Sequence, residues 1–179
     1  MLILALPSCN RPDDHSSDGA IYKEKLVAAI RSSDSIRLAE HSHWSDFSHL
    51  DDEDPANQAP VYLYRSQTLP DASRATFLKK AEDLPSDTIN YFAACIFTPH
   101  HTIDFQKEGK VTSTMEICFQ CGQVEWTGAP DERLPEHLIR MLEEFVSESG
   151  YEPDRDWRTV ADQRRAQEGG DKPTTPPTP

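Results

Sequence analysis

The chain has 179 residues, of which 36% are hydrophobic and 27% charged, and its formal net charge is −13 at pH 7. This length suits one domain with tails. The negative charge argues against a surface that follows nucleic-acid phosphates or binds an anionic membrane. No apolar run approaches the length of a membrane span.

The amino terminus, Met1–Cys9, resembles the end of a bacterial lipoprotein signal. Leu6 and Ser8 fit the apolar and small positions that precede a lipidated Cys9. The resemblance implies that residues 1–18 are a truncated signal and tether, and that a lipid on Cys9 holds the protein at the cell envelope. The run has no basic residue and is shorter than the central region of a signal, which spans about 7–15 residues. A frayed apolar terminus is therefore the alternative.

The next segment predicts a helix and a strand. Asp18 can cap a helix over about Gly19 to Arg31. Its apolar residues recur at helical spacing and define one face: Tyr22, Leu26, Ala29 and Ile30. Ser35–His41 alternates weakly and is predicted to be a strand, whereas residues 45–59 are polar and are predicted to form an exposed loop.

A strand and a second helix follow. Val61–Ser66 is rich in strand-forming residues. Asp71 is predicted to cap a helix over about Ala72 to Asp83. The residues expected to face inward from this helix are Ala75, Leu78 and Ala81.

Four more strands are predicted in close succession, at about Ile89–Phe97, His101–Gln106, Lys110–Phe119 and Gln123–Thr127. Glu108-Gly109 predicts a hairpin turn, since glycine readily adopts positive φ. Within Lys110–Phe119, apolar and polar residues alternate. Such alternation predicts an antiparallel sheet that is covered on one face.

A third helix is predicted to begin near Pro135 and to stop at Gly150. Its apolar stripe comprises Leu138, Ile139, Leu142, Phe145 and Val146. Residues 151–179 are predicted to be an extended, largely disordered tail, in which Trp157 could pack back on the body. The order of elements predicts a single α+β domain over residues 19–150, with an antiparallel sheet of about five to six strands and helices packed on one face.

The candidate site lies in Cys95–Trp126, which holds three of the four cysteines. Cys118 and Cys121 are separated by two residues at a predicted turn between strands, a spacing typical of a zinc knuckle. Cys95 and either His100 or His101 could complete the set, and with His101 the set would comprise three thiolates and one imidazole. The candidate metal ligands are therefore Cys95, His101, Cys118 and Cys121, and the candidate metal is zinc.

Two other interpretations of the cysteines stay open. A Cys-x-x-Cys pair can cycle between dithiol and disulfide, so a thiol oxidoreductase using Cys118 and Cys121 is one alternative. A pair between strands lacks the helix N-terminus that activates such thiols. In an oxidising compartment Cys95 could instead form a disulfide with Cys118 or Cys121, and in a reducing one the thiols could be small buried residues.

A second cluster of polar residues lies in Glu40–His49. His41 and His43 would face the same way on a strand, and Asp46 or His49 could close a nitrogen/oxygen metal site. Polar residues at a strand end and loop are the alternative interpretation. The four acids at residues 51–54 lack the spacing of a calcium loop and indicate a solvated charge run. The sequence contains neither a Gly-x-Ser-x-Gly elbow nor a phosphate-binding glycine loop.

Two linked motifs carry a wider resemblance. The pattern Cys95-x-Phe97-x-Pro99-x-His101-x-x-x-Phe105, followed by Ile117-Cys118-Phe119-x-Cys121-Gly122, resembles one found in a group of uncharacterised, lipoprotein-like bacterial proteins. The likeness covers about Val61 to Phe145. It implies that Cys95, His101, Cys118 and Cys121 belong together, and it implies no substrate or mechanism.

These features together predict a cell-envelope binding or structural module rather than an enzyme. The Cys/His cluster would stabilise the sheet through a metal or a disulfide. Membrane contact is expected only through a lipid on Cys9, no nucleic-acid partner is expected, and a protein partner stays open. A cytosolic zinc-binding protein is the remaining alternative.

Overall fold

The structure is a computed structural model that describes residues 17–47, 61–88 and 95–170. In chain order its elements are α1 (Ser17–Ser32), β1 (Ser35–His41), a 3-10 turn (Trp44–Asp46), β2 (Leu63–Thr68), α2 (Asp71–Glu82), β3 (His101–Lys107), β4 (Lys110–Cys118), β5 (Gln123–Trp126), α3 (Leu138–Glu148) and α4 (Trp157–Gly170). None of the helices in these ranges is both long enough and apolar enough to cross a bilayer.

The strands form one antiparallel sheet in the order β2-β1-β3-β4-β5. In its register Leu38 lies opposite Ile103, and Ile103 lies opposite Met115. The turn between β3 and β4 has positive φ at both Glu108 (52°) and Gly109 (74°). Two successive residues of this kind match the right-handed twist of a tight hairpin. The predicted hairpin and the predicted antiparallel α+β fold are thus confirmed.

The hydrophobic core lies on one face of the sheet. Alternate residues from the strands point into it, as the pleat requires: Ile36, Leu38, Ile103, Phe105, Met115, Ile117, Val124 and Trp126. The helices supply the opposing layer, through Tyr22, Leu26, Ile30, Phe77, Ala81, Leu138, Leu142, Phe145 and Val146. The helices α1, α2 and α3 therefore pack on one face of the sheet, as the sequence predicts.

The helix boundaries need three corrections. Asp18 lies inside α1 rather than at its cap, since the helix already includes Ser17. Pro70, not Asp71, precedes α2, and it makes no side-chain capping bond. The third helix begins at Leu138, because Pro135 pairs with Thr88 in an isolated bridge instead of joining the helix.

The inward face of α2 is set by Phe77, which the sequence analysis did not place in the core. Phe77 is fully buried and stacks on Phe145, with ring centroids 4.3 Å apart. Ala75, predicted to face inward, is exposed, whereas Ala81 is buried as predicted. A phenyl ring removes far more apolar surface from water than a methyl group does, so Phe77 decides which face of α2 is buried.

Two strand predictions also change. The strand predicted at Val61–Ser66 spans Leu63–Thr68, because Thr68 is held opposite Arg37 of β1. The first part of the strand predicted at Ile89–Phe97 lies outside the described residues. Its last part, residues 95–97, is irregular. The loop predicted at residues 45–59 lies outside the described residues from position 48 onward.

The prediction of an extended tail from Tyr151 is wrong as far as Gly170. Positive φ at Gly150 (82°) turns the chain, and Tyr151 donates a hydrogen bond of 3.2 Å to the carbonyl of Leu38. Helix α4 follows, capped by the Asp156 carboxylate, which accepts from the backbone N–H of Thr159 at 3.1 Å. Trp157 packs on the body as anticipated; residues 171–179 lie outside the described ranges.

Candidate functional site

The cysteines at one end of the sheet are arranged as one pair and one free thiol. Cys95 and Cys121 form a disulfide, with their Cα atoms 6.0 Å apart. The bond joins the irregular segment before β3 to the turn between β4 and β5. Cys118 is free and buried, and its sulfur lies 3.7 Å from the hydroxyl oxygen of Thr98. Cys121 therefore bonds to Cys95 and not to its Cys-x-x-Cys neighbour.

Of the four predicted metal ligands, the structure joins Cys95 to Cys121 and places His101 and Cys118 on opposite faces of the sheet. His101 lies opposite Ile117 in the β3–β4 register, and its ring contacts Phe119 edge-on at 5.1 Å between centroids. Cys118 follows Ile117, so the pleat turns it to the other face of β4. In the part of the chain that the structure describes, no group of three or more His, Cys, Asp or Glu side chains is arranged to hold a metal ion. The zinc site stays a prediction.

His101 occupies an unusual environment for a polar ring. It is fully buried, and neither ring nitrogen has a hydrogen-bond partner. The rings of Phe119, Tyr151 and Trp157 surround it edge-on. Burial is the main cause that lowers the pKa of His101, from 6.5 to about 3, and the nearby His100 contributes in the same direction. The imidazole is therefore neutral in the fold at physiological pH.

A hydrogen-bonded pair lies beside it. The Nε2 atom of His100 is 3.1 Å from Oδ1 of Asp46, and both side chains are almost fully buried. The other oxygen of Asp46 accepts from the backbone N–H of His43 at 2.7 Å. The Nδ1 atom of His43 lies 2.7 Å from the hydroxyl oxygen of Ser45. Asp46 thus fixes His100 and the 3-10 turn in one arrangement.

The second predicted cluster is brought together only in part. The rings of His43 and His100 lie 6.4 Å apart between centroids, and burial lowers the pKa of His43 although Asp46 opposes the shift. The Nε2 atom of His41 is 2.7 Å from the Thr102 hydroxyl, so this nitrogen forms its hydrogen bond outside the predicted cluster. His49 lies outside the described residues.

The segment before α4, together with the first residue of that helix, completes this end of the sheet. The Trp157 indole stacks on the His100 ring, with centroids 4.3 Å apart and 3° between the planes. The Arg155 guanidinium lies 5.6 Å from the centre of that indole and 2.5 Å from the Glu40 carboxylate, which is 4% exposed. Burial raises the pKa of Glu40, against the lowering influence of Arg155. The ion pair thus compensates a charge that the fold has buried.

Sequence reasoning missed Arg155, named Glu40 only within the second polar cluster, and expected of Trp157 only that it packs back on the body. Glu40 and His101 are direct cross-strand partners between β1 and β3, a register that no single strand reveals. Hydrogen bonds and an ion pair join four separate segments at this end, through Glu40, Asp46, His100 and Arg155. The His101 ring, by contrast, makes no hydrogen bond. Comparison of the chain with protein-family models, with curated proteins and with solved structures finds no match.

Proposed function

We propose that this chain is a binding or structural module of a bacterial cell envelope, in which the Cys95–Cys121 bond holds the sheet end closed. The bond itself is the observation that carries the proposal. Disulfides persist in oxidising compartments and are rare in the cytosol. The lipobox-like residues Leu6–Cys9 support a tether to the membrane surface through a lipid on Cys9.

The position of the bond supports a stabilising role. Cys95 is exposed in a segment without regular structure, whereas Cys121 is 7% exposed in a hairpin turn. The two bonded cysteines are 26 positions apart in the sequence, and the loop that the bond closes contains β3 and β4. Constraining such a loop lowers the entropy of the unfolded chain and so favours the folded sheet.

Two alternatives make different demands on the same cysteines. A thiol oxidoreductase would cycle a bond between Cys118 and Cys121 and would need an activated, accessible thiol. Cys118 is buried, and Cys121 is bonded to Cys95. A cytosolic zinc protein would instead need three thiolates and the imidazole of His101 around one ion.

Fractionation of the native producer, or of a bacterium expressing the gene with its own start, tests the proposal. We expect the protein in the membrane fraction, an acyl mass on Cys9, and loss of both in Cys9→Ser. A cytosolic protein with reduced cysteines and no acyl group would overturn the envelope assignment. Reduction of insulin that is lost in Cys118→Ser would establish the oxidoreductase instead.

A further inference from the structure

The sheet ends in two edge strands that differ in length and charge. Strand β5 spans four residues, and Glu125 in it lies directly opposite Glu116 of β4. Strand β2 spans six residues, and its exposed positions are Leu63, Arg65, Ser66 and Thr68. An exposed edge strand presents unpaired N–H and C=O groups to which another strand can add.

The register shows which backbone groups of β2 point away from the sheet. The N–H of Leu69 donates to the carbonyl of Ile36 at 2.8 Å, and these two residues continue the β1–β2 ladder. In an antiparallel pair every second residue bonds to the neighbouring strand. Ser66 and Thr68 therefore direct their N–H and C=O groups outward. Among the described residues β2 pairs only with β1, and no backbone hydrogen bond from another segment reaches these groups.

The usual devices that protect an edge do not cover Arg65–Thr68, whose outer side is called the β2 edge below. Proteins guard exposed edges with lysine, proline or a β-bulge. The irregularity in the β1–β2 ladder lies at the start of β2 and leaves these four residues in regular register. Arg65, the one charged residue of the strand, donates to the carbonyl of Gly150 at 2.7 Å and lies over the Tyr151 ring. Its charge is thus held on the body of the protein.

The charge pattern indicates what kind of strand can lie along the β2 edge. Residues 60–70 contain no Asp or Glu and one Arg, in a chain that has 31 acidic residues. Two copies of a chain with a net charge of −13 repel each other over most of their surfaces. At the β2 edge they can meet without opposing carboxylates. Val61 and Leu63, which are 62% and 57% exposed, add apolar surface that a second copy can cover.

A second copy also matches this edge residue by residue. With Ser66 opposite Ser66 across a two-fold axis, the backbone N–H of each serine donates to the carbonyl of the other. The same register places Arg65 of each copy opposite Gln67 of the other, so no like charges meet. A register centred on Arg65 would place two arginines opposite each other, which destabilises a sheet.

We propose that this protein forms a homodimer in which the β2 edges of two copies pair antiparallel about Ser66. The pairing joins two five-stranded sheets into one continuous sheet. A contact built on one short strand from each copy is small, so the dimer forms reversibly as the concentration rises. The assembly uses neither the lipid at Cys9 nor the disulfide, so it stands or falls separately from the proposed function.

Sedimentation equilibrium of the full-length Cys9→Ser chain, over a series of concentrations, tests this proposal. We expect the average mass to rise from that of one chain, 20.2 kDa, toward twice that value. Ser66→Pro removes both N–H donors of the central pair and should weaken the dimer by about tenfold or more. The sheet tolerates proline there, because this N–H does not bond to β1. Thr68→Lys keeps every N–H and should also weaken the dimer, since a lysine charge opposes edge pairing.

The other edge strand supplies the matched controls. Gln123→Lys places the same charge on β5 and should leave the dimer unchanged. Cross-linking tests the register in a background of Cys9→Ser and Cys118→Ala. Ser66→Cys should form an interchain disulfide, because paired Cα atoms in such a ladder lie about 5.5 Å apart, within the reach of that bond. Gln123→Cys should not form one.

Circular dichroism establishes that each variant is folded before its mass is compared. The mass of one chain at every concentration would overturn the proposal. So would an unchanged dimer in both Ser66→Pro and Thr68→Lys, or equal weakening of the dimer by Gln123→Lys. Cross-linking of Gln123→Cys as readily as Ser66→Cys would show that the copies meet elsewhere.

Discussion

Breaking the Cys95–Cys121 bond should cost the protein a defined share of its stability. Cys95 is exposed, so Cys95→Ser removes the bond without opening a cavity. The substitution is best made in a background that carries Cys9→Ser and Cys118→Ala. Once Cys95→Ser is added to that background, Cys121 has no other cysteine in the chain with which to pair.

The magnitude follows from the length of the closed loop. For a sequence separation of 26 residues, the loop-closure relation gives about 3.5 kcal/mol at 25 °C. In a protein of about 150–250 residues each kcal/mol shifts the melting temperature by about 2–4 °C, so we expect a fall of about 7–14 °C. Strain in the folded state would reduce these values.

Urea unfolding, with and without dithiothreitol, is the assay. The background protein should lose about 3.5 kcal/mol when it is reduced. The Cys95→Ser variant should start at the lower value and should not respond to the reductant. Equal stability of the oxidised and reduced background protein would refute the reasoning. A loss caused by a chelator rather than by the reductant, in the chain that retains Cys118, would point to a metal instead.

Three further changes test the packing. His101→Phe should reduce the loss of stability that occurs as the pH falls below 6.5. The pKa of His101 is about 3 in the folded chain, so between pH 6.5 and pH 3 only the unfolded chain binds this proton. The contribution of His101 to the free energy of unfolding is complete above pH 6.5 and should fall by about 1.4 kcal/mol per pH unit below it. Urea unfolding from pH 7 to 4.5 measures this fall. Phe77→Ala should cost about 3–5 kcal/mol in the same assay, since the ring is fully buried against Phe145. Gly150→Ala should cost about 1 kcal/mol, because φ at this position is positive.

The first two of these changes have a matched control. Phe119→Leu alters the surroundings of His101 without removing a titrating group and should keep the pH slope. An unchanged slope in His101→Phe would contradict the assignment of a neutral buried imidazole. Ala75→Ser, on the exposed side of α2, should change stability by less than about 0.5 kcal/mol. If it costs as much as Phe77→Ala, the face assigned to the helix is wrong.

Much of the fold could be predicted because its signals are local. The alternation along Lys110–Phe119 requires only the period of a strand, and Glu108-Gly109 requires only the backbone freedom of a turn. Helix α1 likewise carries its whole apolar face within one segment. Helix α4 lacks such a stripe: over residues 150–167, whose burial the structure describes, the buried residues are Tyr151, Trp157 and Ala161. Its placement depends on distant partners that periodicity cannot show.

The candidate site was harder to predict than the fold, because its contacts join residues that are far apart in the sequence. The sequence shows that Cys95, Cys118 and Cys121 can come together, but the choice of partner depends on the path of the chain before β3. The burial of Glu40 depends on Arg155, which lies 115 residues further along the chain.

The most direct test of the central claim is native mass spectrometry of the full-length Cys9→Ser chain, purified without reductant, with elemental analysis and a thiol count after unfolding. That variant keeps three of the four cysteines. The disulfide predicts a mass two hydrogens below that of the reduced chain, one free thiol from Cys118 and no stoichiometric zinc. One zinc ion per chain, lost in Cys121→Ser and accompanied by three free thiols, would contradict it.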